Sequence, residues 1–157
     1  VQAKTFGGKV VGIADGDTLT VVTRSKRQHK IRLAGIDAPE KQQPFGDRSR
    51  QSLSDLCFGK RAEVTSRVID RYKRVVANVK CDGVNVNAEQ VSRGMAWTYR
   101  RYDDRNYHFY FLEFSARLAK RGLWADPNPV APWQWRNYRK RNVGAVMGSV
   151  VPNVVSL

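Results

Sequence analysis

The sequence predicts an α+β fold that is mainly β, a five-stranded Greek-key barrel of the OB type with three helices. Two observations support this prediction. Five short apolar runs are separated by turn residues, and a helical pattern stands between the third and fourth runs, an order typical of such barrels. The length of 157 residues is sufficient for one domain with its own hydrophobic core.

Each apolar run has the length of a strand. The first three form a predicted meander whose turns are Asp15-Gly16 and the polar stretch before residue 30. The last strand closes on the turn Asp82-Gly83. The five predicted strands span residues 9–13, 18–22, 30–33, 61–67 and 74–80.

Helical periodicity predicts the three helices at residues 47–58, 87–93 and 104–121, and a glycine follows each of them. The first carries Leu53, Leu56 and Cys57 at the spacing of one buried face. In the third, the pattern predicts a buried face that includes the following residues: Phe111, Leu112, Phe114, Ser115, Leu118 and Ala119.

Residues 126–157 form a predicted extension to a domain of residues 1–125. This extension contains four prolines, Trp133, Trp135 and the basic run 136–141. We expect an extended tail that packs on the domain or trails from it, with the last dozen residues poorly ordered. The basic run is interpreted as a solvated tail that raises nonspecific affinity for nucleic acid. Trp97, Tyr99 and Trp124, with the two tryptophans of the extension, fit core or tail-docking positions better than base-stacking ones.

The charge balance predicts a polyanionic partner. The chain has 28 Lys and Arg against 14 Asp and Glu, which gives a formal net charge of +14. Nucleic acid is the first candidate, because cationic side chains on phosphates release condensed counterions. The alternatives are charge that keeps the protein soluble or binds an anionic membrane surface. No stretch approaches the roughly 18 apolar residues of a membrane span, and we expect a monomer without a membrane partner.

Two cysteines, Cys57 and Cys81, have no CxxC spacing, and the chain has only two histidines, which argues against a zinc site. In an oxidising compartment the cysteines can form one disulfide, whereas in a reducing one they are two small half-buried residues. We favour the disulfide. Because the chain starts at Val1 without a methionine, as a processed product would, we expect a secreted or periplasmic protein.

Scarce carboxylates cluster in two places. Asp15 and Asp17 stand at the first turn, and Asp37 and Glu40 follow the third strand. Adjacent strands of a meander can bring these two ends together, where the acids would repel one another without a cation. Oxygen ligands without a nearby His or Cys favour calcium or magnesium. For Asp15 alone, ordinary Asp-Gly turn chemistry is the simpler interpretation.

Two arginines are placed to act beside these acids. Arg32 lies on the third strand, and Arg74 opens the fifth strand after a polar loop. A guanidinium matches two phosphate oxygens and remains charged at any relevant pH. A metal and two arginines would stabilise the transition state of phosphodiester hydrolysis, and a carboxylate would orient water or take its proton.

Four segments of the chain resemble the staphylococcal nuclease family in sequence, order and spacing, over about residues 6–125. These segments are Ile13-Ala14-Asp15-Gly16-Asp17-Thr18, the run from Ile31 to Glu40, Asp70-Arg71-Tyr72-Lys73-Arg74 and Gly122-Leu123-Trp124. Four such motifs in register are much more specific than any one of them alone.

The resemblance implies a role for each matching residue. Asp17, Asp37 and the backbone carbonyl of Ala38 would bind one calcium ion, with Asp15 and Thr18 beside these ligands. Glu40 matches the candidate general base, and Arg32 and Arg74 match the phosphate-binding arginines. Tyr72 would lie near the substrate phosphate. The implied reaction is attack of water on phosphorus with loss of the 5′-oxygen, which leaves 3′-phosphate ends on DNA or RNA.

The chain departs from the family pattern at two places. Lys73 stands where glycine is usual, so the turn either has a positive φ and is strained or has an ordinary φ; Lys73 also adds a cation near the expected phosphate. The family's base-stacking tyrosine has no clean counterpart, and Tyr102 is retained as a candidate substrate contact.

The main rival function is a noncatalytic nucleic-acid-binding module of the same fold. Such domains typically lack the acids that match Asp17, Asp37 and Glu40, and this chain has all three. A third hypothesis is a secreted basic adhesin or toxin that binds without cutting. We therefore predict a calcium-dependent nuclease with a preference for single strands.

Overall fold

A closed β-barrel forms the centre of the molecule in the computed structural model, which describes residues 2–99 and 107–148. The first three strands form an antiparallel meander, and the first strand also pairs with the fourth barrel strand. The last barrel strand pairs with the fourth in antiparallel and with the third in parallel, which closes the barrel. The barrel strands are β1 (Lys4–Asp15), β2 (Thr18–Val22), β3 (Gln28–Leu33), β5 (Arg61–Ile69) and β6 (Val75–Cys81). The predicted OB-type barrel is confirmed.

Short strands and helices complete the described part of the chain. The short strands are β4 (Ile36–Asp37), β7 (Val84–Asn85) and β8 (Trp97–Thr98), and β4 pairs with β8. A single 3-10 turn spans Gly122–Ala125. The helices are α1 (Gly46–Cys57), α2 (Val86–Ser92), α3 (Tyr107–Leu118) and α4 (Pro132–Gly148).

The first strand begins earlier than predicted, at Lys4 rather than at residue 9. Its first half contains Gly7 and Gly8, which in the sequence resemble a turn. A Cβ at Gly8 would collide with the carbonyl of Val22 on the neighbouring strand. Glycine at this position therefore permits close strand approach within the barrel.

The prediction of three helices and an extended tail is wrong, because residues 132–148 form helix α4. The extended tail was predicted because this segment contains several prolines. Pro127 and Pro129 precede the helix, and Pro132 is its first residue, where a missing N–H removes no helical hydrogen bond. Of the last dozen residues, 146–148 belong to α4, and 149–157 lie outside the described residues.

The predicted buried face of α3 is wrong at most of its apolar positions, although Leu112 is partly buried and packs against the main core. Phe111, Phe114 and Leu118 are 70%, 59% and 71% exposed, whereas Phe109 and Ala116 are buried. Because apolar residues cover more than one face of this helix, periodicity alone could not select the face that packs. The corresponding prediction for α1 is confirmed, since Leu53, Leu56 and Cys57 are buried.

Cys57 at the end of α1 and Cys81 at the end of β6 are joined by a disulfide in the structure, with their Cα atoms 5.3 Å apart. Both residues are buried in the main core, which also contains Leu19, Ile31 and Leu33 at the centre of the barrel. Among the described helices, none is long and apolar enough to cross a membrane.

Candidate active site

A cleft of about 530 Å³ lies at one side of the barrel, where the β1–β2 turn, the end of β3, the β5–β6 turn and α4 meet. It brings together most of the side chains that the sequence predicts for the site. The predicted residues that line it are Asp15, Asp17, Arg32, Asp37, Ala38, Glu40, Tyr72 and Arg74. Thr18 lies behind it against Asp17, Lys73 is exposed beside it, and Tyr102 lies outside the described residues.

Local contacts fix the turn that carries the first two acids. The backbone N–H of Asp17 donates to Asp15 Oδ1 at 3.0 Å, as in an Asx turn. A Cβ on Gly16 would collide with the side chain of Ser49 on α1. The buried amide of Gln90 on α2 donates to the carbonyls of Gly16 and Ser49, at 2.8 and 3.1 Å. The turn is therefore held against two helices, and glycine is required at its centre.

Asp17 is 5% exposed, and both of its carboxylate oxygens accept hydrogen bonds. The Thr18 hydroxyl donates to Oδ1 at 3.0 Å, and the Ala38 N–H donates to Oδ2 at 2.8 Å. The bond from Ala38 connects the β1–β2 turn to the chain just after β4. The two acidic segments that the sequence separates by about twenty residues thus meet at the cleft.

Arg32 lies between the two buried acids. Its Nη2 is 3.4 Å from Asp17 Oδ2 and 3.4 Å from Asp37 Oδ1. Its Nη1 donates to the carbonyls of Leu33 and Ile36, at 2.7 and 2.9 Å. The guanidinium is therefore held in one position by its own strand and turn, beside both carboxylates.

The acids differ in protonation behaviour. Burial, together with the charge of Asp17, raises the pKa of Asp15 to about 7. Burial also opposes ionisation of Asp17, but the Arg32 guanidinium and several hydrogen bonds outweigh it and lower the pKa. Burial raises the pKa of Asp37 despite the opposing hydrogen bond from Arg136, and the charge of Asp17 adds to the rise. The site favours full ionisation at Asp17 and resists a further negative charge beside it.

Arg136 on α4 is a cleft residue that the sequence interpretation missed. Its Nη2 is 2.6 Å from Asp37 Oδ2, and its Nη1 donates to Asp37 Oδ1 at 3.2 Å and to Glu40 Oε1 at 2.7 Å. Trp133, Arg136, Asn137 and Lys140 all line the cleft. Their i, i+3, i+4, i+7 spacing is a helical signal that the basic run contained and that the tail interpretation ignored.

Arg74 is held by the turn that precedes β6. Its Nε is 2.8 Å from Asp70 Oδ2, and Asp70 Oδ1 accepts from the backbone N–H groups of Tyr72 and Arg74 at 2.9 and 3.0 Å. The guanidinium carbon lies 5.3 Å from the centre of the Tyr72 ring. At the tip of the turn, Lys73 has a φ of 60°, so the positive-φ alternative holds.

An aromatic cluster holds α4 on the barrel. The Trp133 ring stacks on Tyr99, with centroids 5.3 Å apart, and meets the edge of Trp97 at 5.5 Å. Trp97 in turn contacts Trp124 at 4.5 Å. The predicted tail-docking role of these aromatic residues agrees with this packing, although the docked segment is a helix.

The donor set of the cleft suits a hard cation. Among the described residues, no three His, Cys, Asp or Glu side chains are grouped as a complete metal site. However, the buried carboxylates of Asp17 and Asp37 both face one nitrogen of Arg32, so their nearer oxygens are separated by at most twice 3.4 Å. Two carboxylates and a nearby backbone carbonyl are ligands that calcium accepts, with water completing the shell.

The closed barrel and this cleft together define an OB-fold protein in which arginines face clustered carboxylates. The family model described as staphylococcal nuclease homologue matches residues 30–126. The chain belongs to this family.

Relatives extend the match over most of the chain. An uncharacterized endonuclease of Haemophilus influenzae is 43% identical over 149 residues, which are 95% of this chain and 83% of that protein. A micrococcal nuclease of Shigella flexneri is 43% identical over 145 residues, covering 86% of this chain and 83% of that protein. An uncharacterized endonuclease of Escherichia coli is 44% identical over 131 residues, covering 83% and 84%.

Proposed function

We propose that this chain is a calcium-dependent nuclease that hydrolyses phosphodiester bonds in DNA and RNA. The observation that carries the proposal is the shared cleft, in which Asp17, Asp37 and Glu40 meet Arg32 and Arg74. Membership of the family and the nuclease names of its relatives support the hydrolase class. The net charge of +14 supports a polyanionic substrate.

In this proposal Asp17, Asp37 and the backbone carbonyl of Ala38 hold one calcium ion. A bound calcium ion would supply positive charge to the phosphate oxygens of the substrate. The position of the two carboxylates supports this assignment, because both are buried beside the same nitrogen of Arg32 and their oxygens are therefore close enough to share one cation. Asp15 and Thr18 position Asp17 by the turn and hydroxyl contacts.

The arginines act on the phosphate itself. Arg32 and Arg74 bind nonbridging oxygens and stabilise the additional negative charge of the five-coordinate phosphorus. Arg32 is already fixed by two carbonyls, and Arg74 is held by Asp70 at the mouth of the same cleft. Tyr72 and Lys73 stand beside Arg74 and contact the substrate strand.

Glu40 serves as the general base. Its side chain is 35% exposed, so water can approach it, and it lies at the edge of the acid cluster. Glu40 takes a proton as water attacks phosphorus, and the bond from phosphorus to the 5′-oxygen breaks. The 5′-oxygen leaves with a proton from solvent, and the phosphate remains on the 3′ side. We also propose that the substrate is single-stranded. The protein would act as a monomer outside the cytoplasm, where the disulfide between Cys57 and Cys81 would persist.

The test is hydrolysis of denatured DNA with calcium and with a chelator. We expect Glu40→Gln to lower kcat by roughly 10²- to 10⁴-fold, because a general base contributes about that factor. Arg74→Ala should lower it by about 10²- to 10³-fold through lost charge stabilisation. Glu63→Gln, at an exposed position on β5, is the matched control and should retain full activity.

The outcomes separate the rival functions. Cleavage that is unchanged by the chelator would refute the role of the metal. Full activity in both Glu40→Gln and Arg74→Ala would refute the roles assigned to these residues. Tight binding of the same DNA without any cleavage would instead support the noncatalytic binding module.

A further inference from the structure

Arg136 is unlike the other cations of the basic run, because it is bound to the two acids on which the proposed chemistry depends. Its guanidinium contacts Asp37 at 2.6 Å and Glu40 at 2.7 Å. The Asp37 side chain is almost completely buried, so this ion pair is poorly screened by solvent. The contact joins positions 99 residues apart in the sequence.

This contact uses the oxygens that a cation would need. Asp37 Oδ2 accepts a hydrogen bond from Arg136 Nη2. Asp37 Oδ1 accepts one from Arg136 Nη1 at 3.2 Å and one from Arg32 Nη2 at 3.4 Å. Neither oxygen of Asp37 is free of a cationic donor. A calcium ion on Asp37 would stand next to both guanidinium groups, and the repulsion between like charges favours the withdrawal of one of them.

Arg136 is the side chain better able to leave. Arg32 is bound to two backbone carbonyls, and its side chain is 13% exposed. The Arg136 side chain is 39% exposed, and its helix has a separate contact with the domain through the Trp133 ring on Tyr99. The side chain can move while α4 remains docked.

The displaced guanidinium would stay within the cleft. Arg136 lies on the helix face that lines it, between Trp133 and Lys140. A cation on Asp37 repels the guanidinium, and a phosphodiester bound in the same cleft would offer it an anion in exchange for the carboxylate. The guanidinium fork matches phosphate as well as it matches carboxylate.

We propose that Arg136 acts beside Arg32 and Arg74 as an exchangeable arginine of the cleft, which pairs with Asp37 and Glu40 until a divalent cation displaces it and then binds the substrate phosphate. This inference rests on the proposed function. It identifies a phosphate-binding residue in α4, outside the region matched by the family model.

Calcium affinity, measured by isothermal titration calorimetry without nucleic acid, tests the exchange. Arg136→Ala should bind calcium about tenfold more tightly than the unaltered protein, because a competing positive charge is gone. Arg136→Lys keeps the positive charge but loses the paired donors of the guanidinium. Its calcium affinity should therefore lie between those of Arg136→Ala and the unaltered protein. Arg139→Ala removes the same charge from an exposed position of α4 and should change the affinity by less than about twofold, as a distant screened charge does.

The phosphate step is tested with calcium saturating and denatured DNA as substrate. The KM should rise several-fold in Arg136→Ala and remain near its original value in Arg139→Ala. An unchanged KM and kcat in Arg136→Ala would overturn this step.

The failures are distinguishable. Equal calcium affinity in Arg136→Ala and the unaltered protein would overturn the exchange. Weaker calcium binding by Asp37→Asn in the same experiment would show that the assignment of the metal site still holds. If none of these proteins binds calcium, the metal assignment fails and the exchange fails with it. Circular dichroism of each variant confirms that α4 and the barrel remain folded.

Discussion

Lys73 shows how one residue can conflict with the turn that contains it. Asp70 accepts hydrogen bonds from the backbones of Tyr72 and Arg74, and this arrangement leaves Lys73 with a φ of 60°. An L-residue with a Cβ is disfavoured in this region by roughly 1–2 kcal/mol. The departure from the usual glycine was visible in the sequence, but the sign of φ was not, because the turn's hydrogen bonds determine it.

We expect Lys73→Gly to increase the free energy of unfolding by about 0.5–1 kcal/mol, since relief of strain exceeds the added entropy of the unfolded chain. The urea midpoint measures the change. Lys30→Gly is the control, because Lys30 is an exposed residue of β3 and glycine in a strand should destabilise the protein by about the same amount. Destabilisation by both substitutions would contradict the strain argument.

The acids and the two predicted arginines were accessible from the sequence because each lies in a short motif at a turn or strand end. Arg136 was not accessible in this way, because its contacts with Asp37 and Glu40 join positions that are 99 and 96 residues apart. Helical spacing from Trp133 separates Arg136 and Lys140 from Arg139, but this signal has meaning only once the basic run is assigned to a helix. Tertiary packing, through Trp133, decides which of these cations enters the cleft.

At the scale of elements, the turn between β5 and β6 depends on one buried carboxylate. The side chain of Asp70 is 1% exposed and accepts from two backbone N–H groups and from Arg74 Nε. Burial alone would raise the pKa of Asp70, but these hydrogen bonds and the Arg74 charge outweigh it and lower the pKa. The ionised form is therefore the form that stabilises the fold.

Asp70→Asn should lower the free energy of unfolding by about 2 kcal/mol at neutral pH, because the negative charge is lost and the new amide NH2 group faces the Arg74 guanidinium, another donor. A lowered folded-state pKa gives stability that is complete above the unfolded value near 3.9 and is lost as the pH falls through the folded value. The difference between the variant and the unaltered protein should therefore shrink below about pH 4.

Urea unfolding across a pH series measures this difference. Asp82→Asn, at an exposed acid in the turn between β6 and β7, is the control and should show a small, nearly constant difference. A gap for Asp70→Asn that stays constant down to acid pH would contradict the assignment.

The helices show where element prediction succeeds and fails. The apolar spacing of α1 gave its buried face correctly, because its other positions are polar. In α3, apolar residues occur on several faces. Phe109 packs into the main core and Ala116 packs with Leu123 and Trp124, whereas Phe111 remains exposed. In α4, prolines that resembled an extended tail stand before the helix or at its first position.

At the scale of the whole molecule, the order of strands and helices was sufficient to predict the barrel, because few folds accommodate that order. The disulfide adds a covalent link between α1 and β6 across a separation of 24 residues. It restricts the unfolded chain, and this restriction is the main way in which such links stabilise proteins.

Reduction of this disulfide should lower the free energy of unfolding by about 3 kcal/mol, the value expected for a loop of this size. Urea unfolding with and without dithiothreitol measures the loss, and a mass two daltons above the oxidised form confirms reduction. The variant Cys57→Ala with Cys81→Ala is the control and should be insensitive to dithiothreitol. Free thiols at both positions in the protein purified without reductant would contradict the disulfide.

The parallel pairing of β3 with β6 aligns Arg32 with Val76, two residues beyond Arg74. The relative placement of Arg32 and Arg74, which we propose to bind phosphate, thus depends on a contact between segments that are distant in the chain. Such contacts form slowly because a long loop must first close. When the chain is renatured from urea, we expect the meander of β1, β2 and β3 to form before the cleft can bind a phosphate. The rate at which cleavage recovers would then report the rate at which β3 and β6 pair and close the barrel.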